Sequence, residues 1–180
     1  YIDTGFSPYY KTDIEAHFEV PDFSHDNIIY WTRGTGFSSF AFITKADSAD
    51  KTKRVRAYRV SNGQSGVEIE LKEYLTEKDI WYSTKYVNNQ TDNTFTVNDQ
   101  TVSFVKAGGE EHLPSIYLFR LHDVDRLYET VKAVVGIKLY SFKIIEGGAA
   151  KADFVPCVRD ADGIAGLYDT VRNTFYSNAG

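Results

Sequence analysis

The sequence contains a single cysteine, Cys157, which excludes an internal disulfide framework. Its place beside Pro156 at a strand end reads as a small, half-buried residue rather than a catalytic thiol. Methionine is absent even at position 1, so the chain is expected to be a segment of something longer. No apolar run approaches the roughly 18 residues of a membrane-spanning helix, and direct membrane insertion is not expected. Amphipathic helical periodicity is also missing beyond a turn or two. Basic charge is in deficit: the net charge is −5 and the pI is near 5.4. That argues against a general nucleic-acid partner, because phosphate contacts need clustered Lys and Arg. The one basic cluster, KTKRVRAYR at 51–59, reads as the entry to a strand.

What the chain has instead is aromatic side chains, thirteen Tyr and twelve Phe in 180 residues. Large flat side chains suit a pleated surface, so the expected class is all-β. The length suits one domain spanning 1–180 and is too short to expect two.

Strand signals recur along the chain. From Thr12 to Val20 the pattern alternates, with Ile14, Ala16, Phe18 and Val20 facing one way and Asp13, Glu15, His17 and Glu19 the other, which predicts a half-buried antiparallel strand ended by Pro21. Further strands are expected at 1–5, 27–33, 37–45, 54–60, 66–71, 80–88, 94–97, 100–105, 115–121, 137–145 and 152–155. Turn signals separate them: Gly34-Thr35-Gly36, Asn62-Gly63, Asn98-Asp99 with the left-handed conformations of a type I′ turn, and Glu146-Gly147-Gly148. Residues 74–79 suggest a helical turn and 122–130 a short helix or loop. Eleven to thirteen short strands with such turns predict a two-sheet antiparallel β-sandwich or jelly roll.

Several stretches together resemble a known group. Tyr1-Ile2-Asp3-Thr4-Gly5-Phe6 opens the chain. Tyr140-Ser141-Phe142-Lys143-Ile144, Asp153-Phe154-Val155-Pro156-Cys157, Gly166-Leu167-Tyr168-Asp169 and Phe175-Tyr176-Ser177-Asn178-Ala179-Gly180 follow in order near its end. In this order they are similar to the laminin-G-like, concanavalin A-like jelly-roll domains of gut bacterial surface proteins and bacteriophage tail proteins. The resemblance implies two curved sheets face to face, in a superfamily that includes lectins, carbohydrate-binding modules and some glucanases. It brings no catalytic or ligand motif that can be carried over by residue, and fold does not fix function.

Candidate sites are therefore weighed from residue chemistry. Sugar rings present apolar C–H faces that stack on Trp and Tyr beside polar groups, so Trp31 with Arg33 on one strand, Trp81 with Ser83 and Lys85 on another, and Tyr9 and Tyr10 in a loop are the expected ligand-binding residues. Glu68, Glu70 and Glu73 superficially resemble the carboxylate strand motif of glucanases with this fold. Their simpler reading is a solvated strand face opposite Val67, Ile69 and Leu71. Asp160-Ala161-Asp162-Gly163 resembles the opening of a calcium loop, with Asp160 and Asp162 as weak metal candidates, and no other cofactor is implied. An Asp-Gly turn explains it equally well. The four histidines show no metal-ligand spacing, and a Ser-His-Asp arrangement is not argued for by the sequence.

The expected function is a non-catalytic binding module of an extracellular, cell-surface or virion protein, recognising glycan. The alternative is a structural spacer that contacts neighbouring domains, and a glycoside hydrolase is the minor one.

Overall fold

The computed structural model describes residues 1–9, 11–21, 27–34, 39–44, 55–60, 69–70, 80–88, 92–105, 113–119 and 136–178. Fourteen strands occur among them: β1 (Ile2–Asp3), β2 (Thr12–Glu19), β3 (Asn27–Arg33), β4 (Ser39–Thr44), β5 (Val55–Val60), β6 (Ile69–Glu70), β7 (Trp81–Val87), β8 (Asp92–Val97), β9 (Gln100–Val105), β10 (Tyr117–Leu118), β11 (Lys138–Glu146), β12 (Ala149–Val158), β13 (Ala165–Asp169) and β14 (Thr174–Ser177). They form two antiparallel sheets. One has the order β1-β10-β3-β4-β5-β6 and the other β14-β13-β12-β11-β2-β7-β8-β9. Among the described residues the regular structure is all β, the class expected from the composition.

The core lies between the sheets and is largely aromatic. Phe18 of β2 meets Phe42 of β4 with ring centroids 5.6 Å apart, Tyr30 of β3 meets Phe142 of β11 at 5.7 Å, and Phe40 of β4 meets Tyr86 of β7 at 5.1 Å. Rings at these distances and tilts gain edge-to-face attraction beyond the area they remove from water. β2 follows its sequence pattern: Ile14, Ala16 and Phe18 are buried, and Asp13, Glu15 and His17 turn outward.

The six-stranded sheet is different, because both of its faces are buried around β3 and β4. Phe40 and Phe42 turn toward the other sheet, while Ala41 and Ile43 join Ile28 and Trp31 in a second apolar cluster on the opposite face. The nearly continuous apolar runs NIIYW and FAFI are the sequence expression of a strand with no wet side.

Of the expected turns, Thr35-Gly36 and Asn62-Gly63 lie outside the described residues, and the other two are described. Gly147 and Gly148 both have positive φ, +60° and +80°, and close the β11–β12 hairpin as a two-residue type I′ turn. At Asn98-Asp99 only Asn98 is left-handed, at φ +50°, so that turn is not the expected type I′. Among the described residues of the apolar stretch 115–121 the paired strand is β10, and Phe119 after it takes φ +62° with its N–H donating to the Ile29 carbonyl at 3.3 Å. The expected helical turn at 74–79 and the helix or loop at 122–130 lie outside the described residues.

The two ends of the chain are joined by a buried ionic clasp. The Asp169 carboxylate is 0% exposed. Its Oδ1 accepts from the backbone N–H groups of Asp153 at 3.0 Å, Val171 at 3.0 Å and Arg172 at 3.3 Å. Its Oδ2 lies 2.7 Å from Arg172 Nε, an ion pair rather than a linear hydrogen bond. Arg172 Nη1 donates to the Thr4 carbonyl at 3.0 Å and to Tyr176 Oη at 3.1 Å, while its guanidinium lies over Phe154. One arginine thus ties the segment after β1 to β14, across the two sheets.

Candidate functional site

The outward face of the eight-stranded sheet carries the chemistry. In the register Glu19 pairs with both Trp81 and Lys138, and His17 pairs with both Ser83 and Ser141. The β11–β2 ladder shifts between Leu139 and Ser141, so Tyr140 sits at a β-bulge. A bulge re-aims its side chain, and here it turns Tyr140 out over His17. The His17 ring lies 5.3 Å from Trp81 and 5.1 Å from Tyr140, and Trp81 and Tyr140 are 6.0 Å apart with planes 79° from parallel. Trp81 is 43% exposed and Tyr140 63%, in a fold that buries most of the aromatic rings around them. Ile80, also exposed, borders them.

Beside this aromatic corner runs a polar ladder. Thr101, Thr96, Lys85, Glu15, Lys143 and Asp153 are consecutive cross-strand neighbours on six strands. The two threonine hydroxyls share a hydrogen bond at 2.9 Å, Lys85 meets Glu15 at 2.8 Å, and Lys143 meets Asp153 at 3.2 Å. Glu15, hydrogen-bonded to Lys85, holds the lysine above its ordinary pKa. At the aromatic end Lys138 meets the buried Glu19 carboxylate at 2.5 Å, which compensates a charge that burial alone would penalise. Asp13 lies partly buried at the far end of β2 and accepts from the Asn88 N–H at 2.8 Å. Desolvation raises its carboxyl above the usual range, against the opposing pull of that hydrogen bond.

Such a surface can stack apolar ring faces and offer hydroxyl, amide and ionic groups at their edge. It does not assemble a hydrolytic triad: among the described residues neither serine nor a carboxylate is hydrogen-bonded to His17.

The other expected residues are dispersed. Trp31 is 8% exposed, in the second apolar cluster with Ile28, Ala41 and Ile43, where its ring lacks an open face for stacking. Arg33 ends β3 opposite Ser39. Tyr9 is half-buried in a tight turn, its N–H donating to Thr12 Oγ1 at 2.7 Å and its carbonyl accepting from Asn88 Nδ2 at 3.1 Å. That turn is at the opposite end of β2 from Trp81, roughly 20 Å away at strand spacing. Tyr10, Glu68 and Glu73 lie outside the described residues, and Glu70 is in β6 opposite Arg56. Asp162 is engaged in its own turn: Arg159 approaches both carboxylate oxygens, and the Ile164 N–H donates to Oδ1 at 3.2 Å. The Arg159 hydrogen bond holds the Asp162 carboxyl below its ordinary range. Asp160 is exposed beside it, and among the described residues no group of three or more His, Cys, Asp or Glu could hold a metal. Of the expected residues that are described, then, only Trp81 with its strand neighbours Ser83 and Lys85 lies on this face. Its partners Tyr140 and His17 were not singled out by the sequence.

No protein-family model and no curated protein sequence matches the chain. Solved structures do. The mouse laminin alpha1 chain, domains LG4-5, superposes with a TM-score of 0.55 at 10% identity, covering 84% of this chain and 40% of that one. A Bacteroides ovatus protein described as a candidate carbohydrate binding protein superposes with a TM-score of 0.64 at 11% identity, covering 100% of this chain and 54% of that one. The chain therefore spans about half the length of these structures or less. Among the described residues no helix is long and apolar enough to cross a membrane. Two antiparallel sheets with a shared aromatic core and these two structural matches show that this chain has the two-sheet antiparallel β-sandwich fold of those structures.

Proposed function

We propose that this chain is a non-catalytic, carbohydrate-binding module of an extracellular, cell-surface or virion protein, and that it binds through Trp81, Tyr140 and His17. The observation that carries the reading is the pair of exposed rings, Trp81 and Tyr140, held around His17 on an otherwise polar sheet face. Leaving large rings in water has a cost that ordinary packing avoids, and sugar C–H faces are a natural cover for them. The Bacteroides ovatus structure, described as a candidate carbohydrate binding protein, supports the same direction. Glycan-array binding that falls in Trp81→Ala and in Tyr140→Ala, with circular dichroism unchanged, is the expected result. An array with no binding by the unaltered protein removes the reading.

A second reading, a structural spacer between neighbouring domains, draws on the Asp169–Arg172 clasp, which joins both ends of the described chain. It predicts the same stability and no glycan.

A further inference from the structure

Resting on that reading, we infer that the glycan is neutral and soluble, and that it places one sugar residue in the corner between Trp81 and Tyr140.

The charge argument comes from pairing. Asp13 and the exposed Lys151 lie toward the far end of the sheet; beside the corner the described strands present three carboxylates, Glu15, Glu19 and Asp153, against three ammonium groups, Lys85, Lys138 and Lys143. Each ammonium already meets a carboxylate: Lys85 with Glu15, Lys138 with Glu19, and Lys143 with Asp153. A uronic-acid or sulfated chain would have to displace one of these pairs and would then face the carboxylate that the displacement sets free. Like-charge juxtaposition of that kind is how a surface rejects the wrong partner. A neutral sugar meets no such barrier, because hydroxyls can share the same carboxylates and ammonium groups as hydrogen-bond partners without breaking them apart.

The shape argument comes from the rings. Planes 79° apart with centroids separated by 6.0 Å cannot both lie against one flat surface. The His17 ring stands at 67° to Trp81 and 58° to Tyr140, so it adds a third inclined wall instead of extending a platform. Stacking therefore uses one ring face while the other ring abuts the sugar's edge. That seat suits one residue at a chain end or a bend. It does not suit the planar face of a crystalline polysaccharide.

The test is calorimetric titration and affinity electrophoresis of the unaltered protein, Trp81→Ala and Tyr140→Ala. The probes are neutral hexose oligosaccharides of several linkages, hexuronate oligosaccharides of matching length, and microcrystalline cellulose. Expected is binding to a neutral oligosaccharide with Kd on the order of millimolar, insensitive to salt, and weakened about tenfold or more in each variant. Hexuronate binding that depends on Trp81 and falls as salt rises, or retention on cellulose that depends on Trp81, overturns this inference and leaves carbohydrate binding standing. Failure of all three probe classes, together with an empty glycan array, overturns both.

Discussion

Removing the Asp169 carboxylate should destabilise the fold more than any other single surface-distant charge change described here. Asp169→Ala leaves three backbone N–H groups, those of Asp153, Val171 and Arg172, without their acceptor. It also leaves the Arg172 guanidinium beside Phe154 without its counter-charge. Breaking one side of a buried pair costs about 3–5 kcal/mol, and orphaned buried donors cost about 1–3 kcal/mol each, overlapping rather than adding fully. A loss of about 3–5 kcal/mol corresponds to a fall in Tm of roughly 6–20 °C for a chain of this size. Asp169→Asn retains an acceptor oxygen for the N–H groups while losing the charge, and should fall between the variant and the parent. Differential scanning calorimetry gives the magnitude, and hydrogen exchange locates it. The Thr4 N–H, which donates to the Ile116 carbonyl at 3.0 Å, should lose protection, since Arg172 no longer holds the Thr4 carbonyl. A loss below about 1 kcal/mol, the range of an exposed ion pair, would refute the clasp.

Glycine positions separate steric from conformational demands. A Cβ at Gly166 would sit 2.3 Å from the Tyr176 carbonyl oxygen and 2.6 Å from the Phe175 ring, so Gly166→Ala should cost about 1–3 kcal/mol and loosen β14. At Gly148, with φ +80° and nothing within 4 Å of a Cβ, Gly148→Ala should cost only the left-handed penalty of about 1–2 kcal/mol. Urea unfolding gives the losses, and β14 amides that keep their hydrogen-exchange protection in Gly166→Ala would contradict this distinction. Asp13 has a folded pKa raised above its unfolded value, so its contribution to stability is fully present below the ordinary carboxylate pKa and is lost as pH rises through the raised one. Asp13→Asn keeps the oxygen that accepts from Asn88, so it should match or exceed the parent's stability at neutral pH, with the difference shrinking in acid. A variant less stable at neutral pH than in acid, relative to the parent, would show that charge at this position is favourable. Calcium at millimolar concentration should leave Tm unchanged, because Asp162 is already committed to Arg159 and the Ile164 N–H, and a calcium-dependent rise would reopen that loop as a site.

Much of this architecture is written locally. The alternation of Ile14, Ala16 and Phe18 against Asp13, Glu15 and His17 states both the strand and its faces, and Gly147-Gly148 states a turn that only positive φ can close. What is not local is less legible. β2 pairs with β11 across more than a hundred residues, and no short-range pattern records that choice. Tyr140 shows how a face can be misread: strict alternation with the buried Phe142 and Ile144 would send it inward, and one bulge turns it out. Trp31 shows the converse. An exposed ring and a buried one are the same letter, and the burial of Trp31 depends on the six-stranded sheet having two dry faces, which a strand's own residues suggest only through their continuous apolarity. The aromatic corner was therefore visible in the sequence at Trp81 alone, since His17 and Tyr140 join it through pairing.

The two tryptophans provide the most direct measurement of the central claim. Trp31 is buried and Trp81 is open, so a ligand on the proposed face changes the surroundings of only one of them. Titrating a neutral oligosaccharide identified on the array while following tryptophan emission and acrylamide quenching should show a blue shift and protection in the unaltered protein, and neither in Trp81→Phe. Binding that leaves Trp81 emission and quenching unchanged would place the ligand elsewhere and contradict the account.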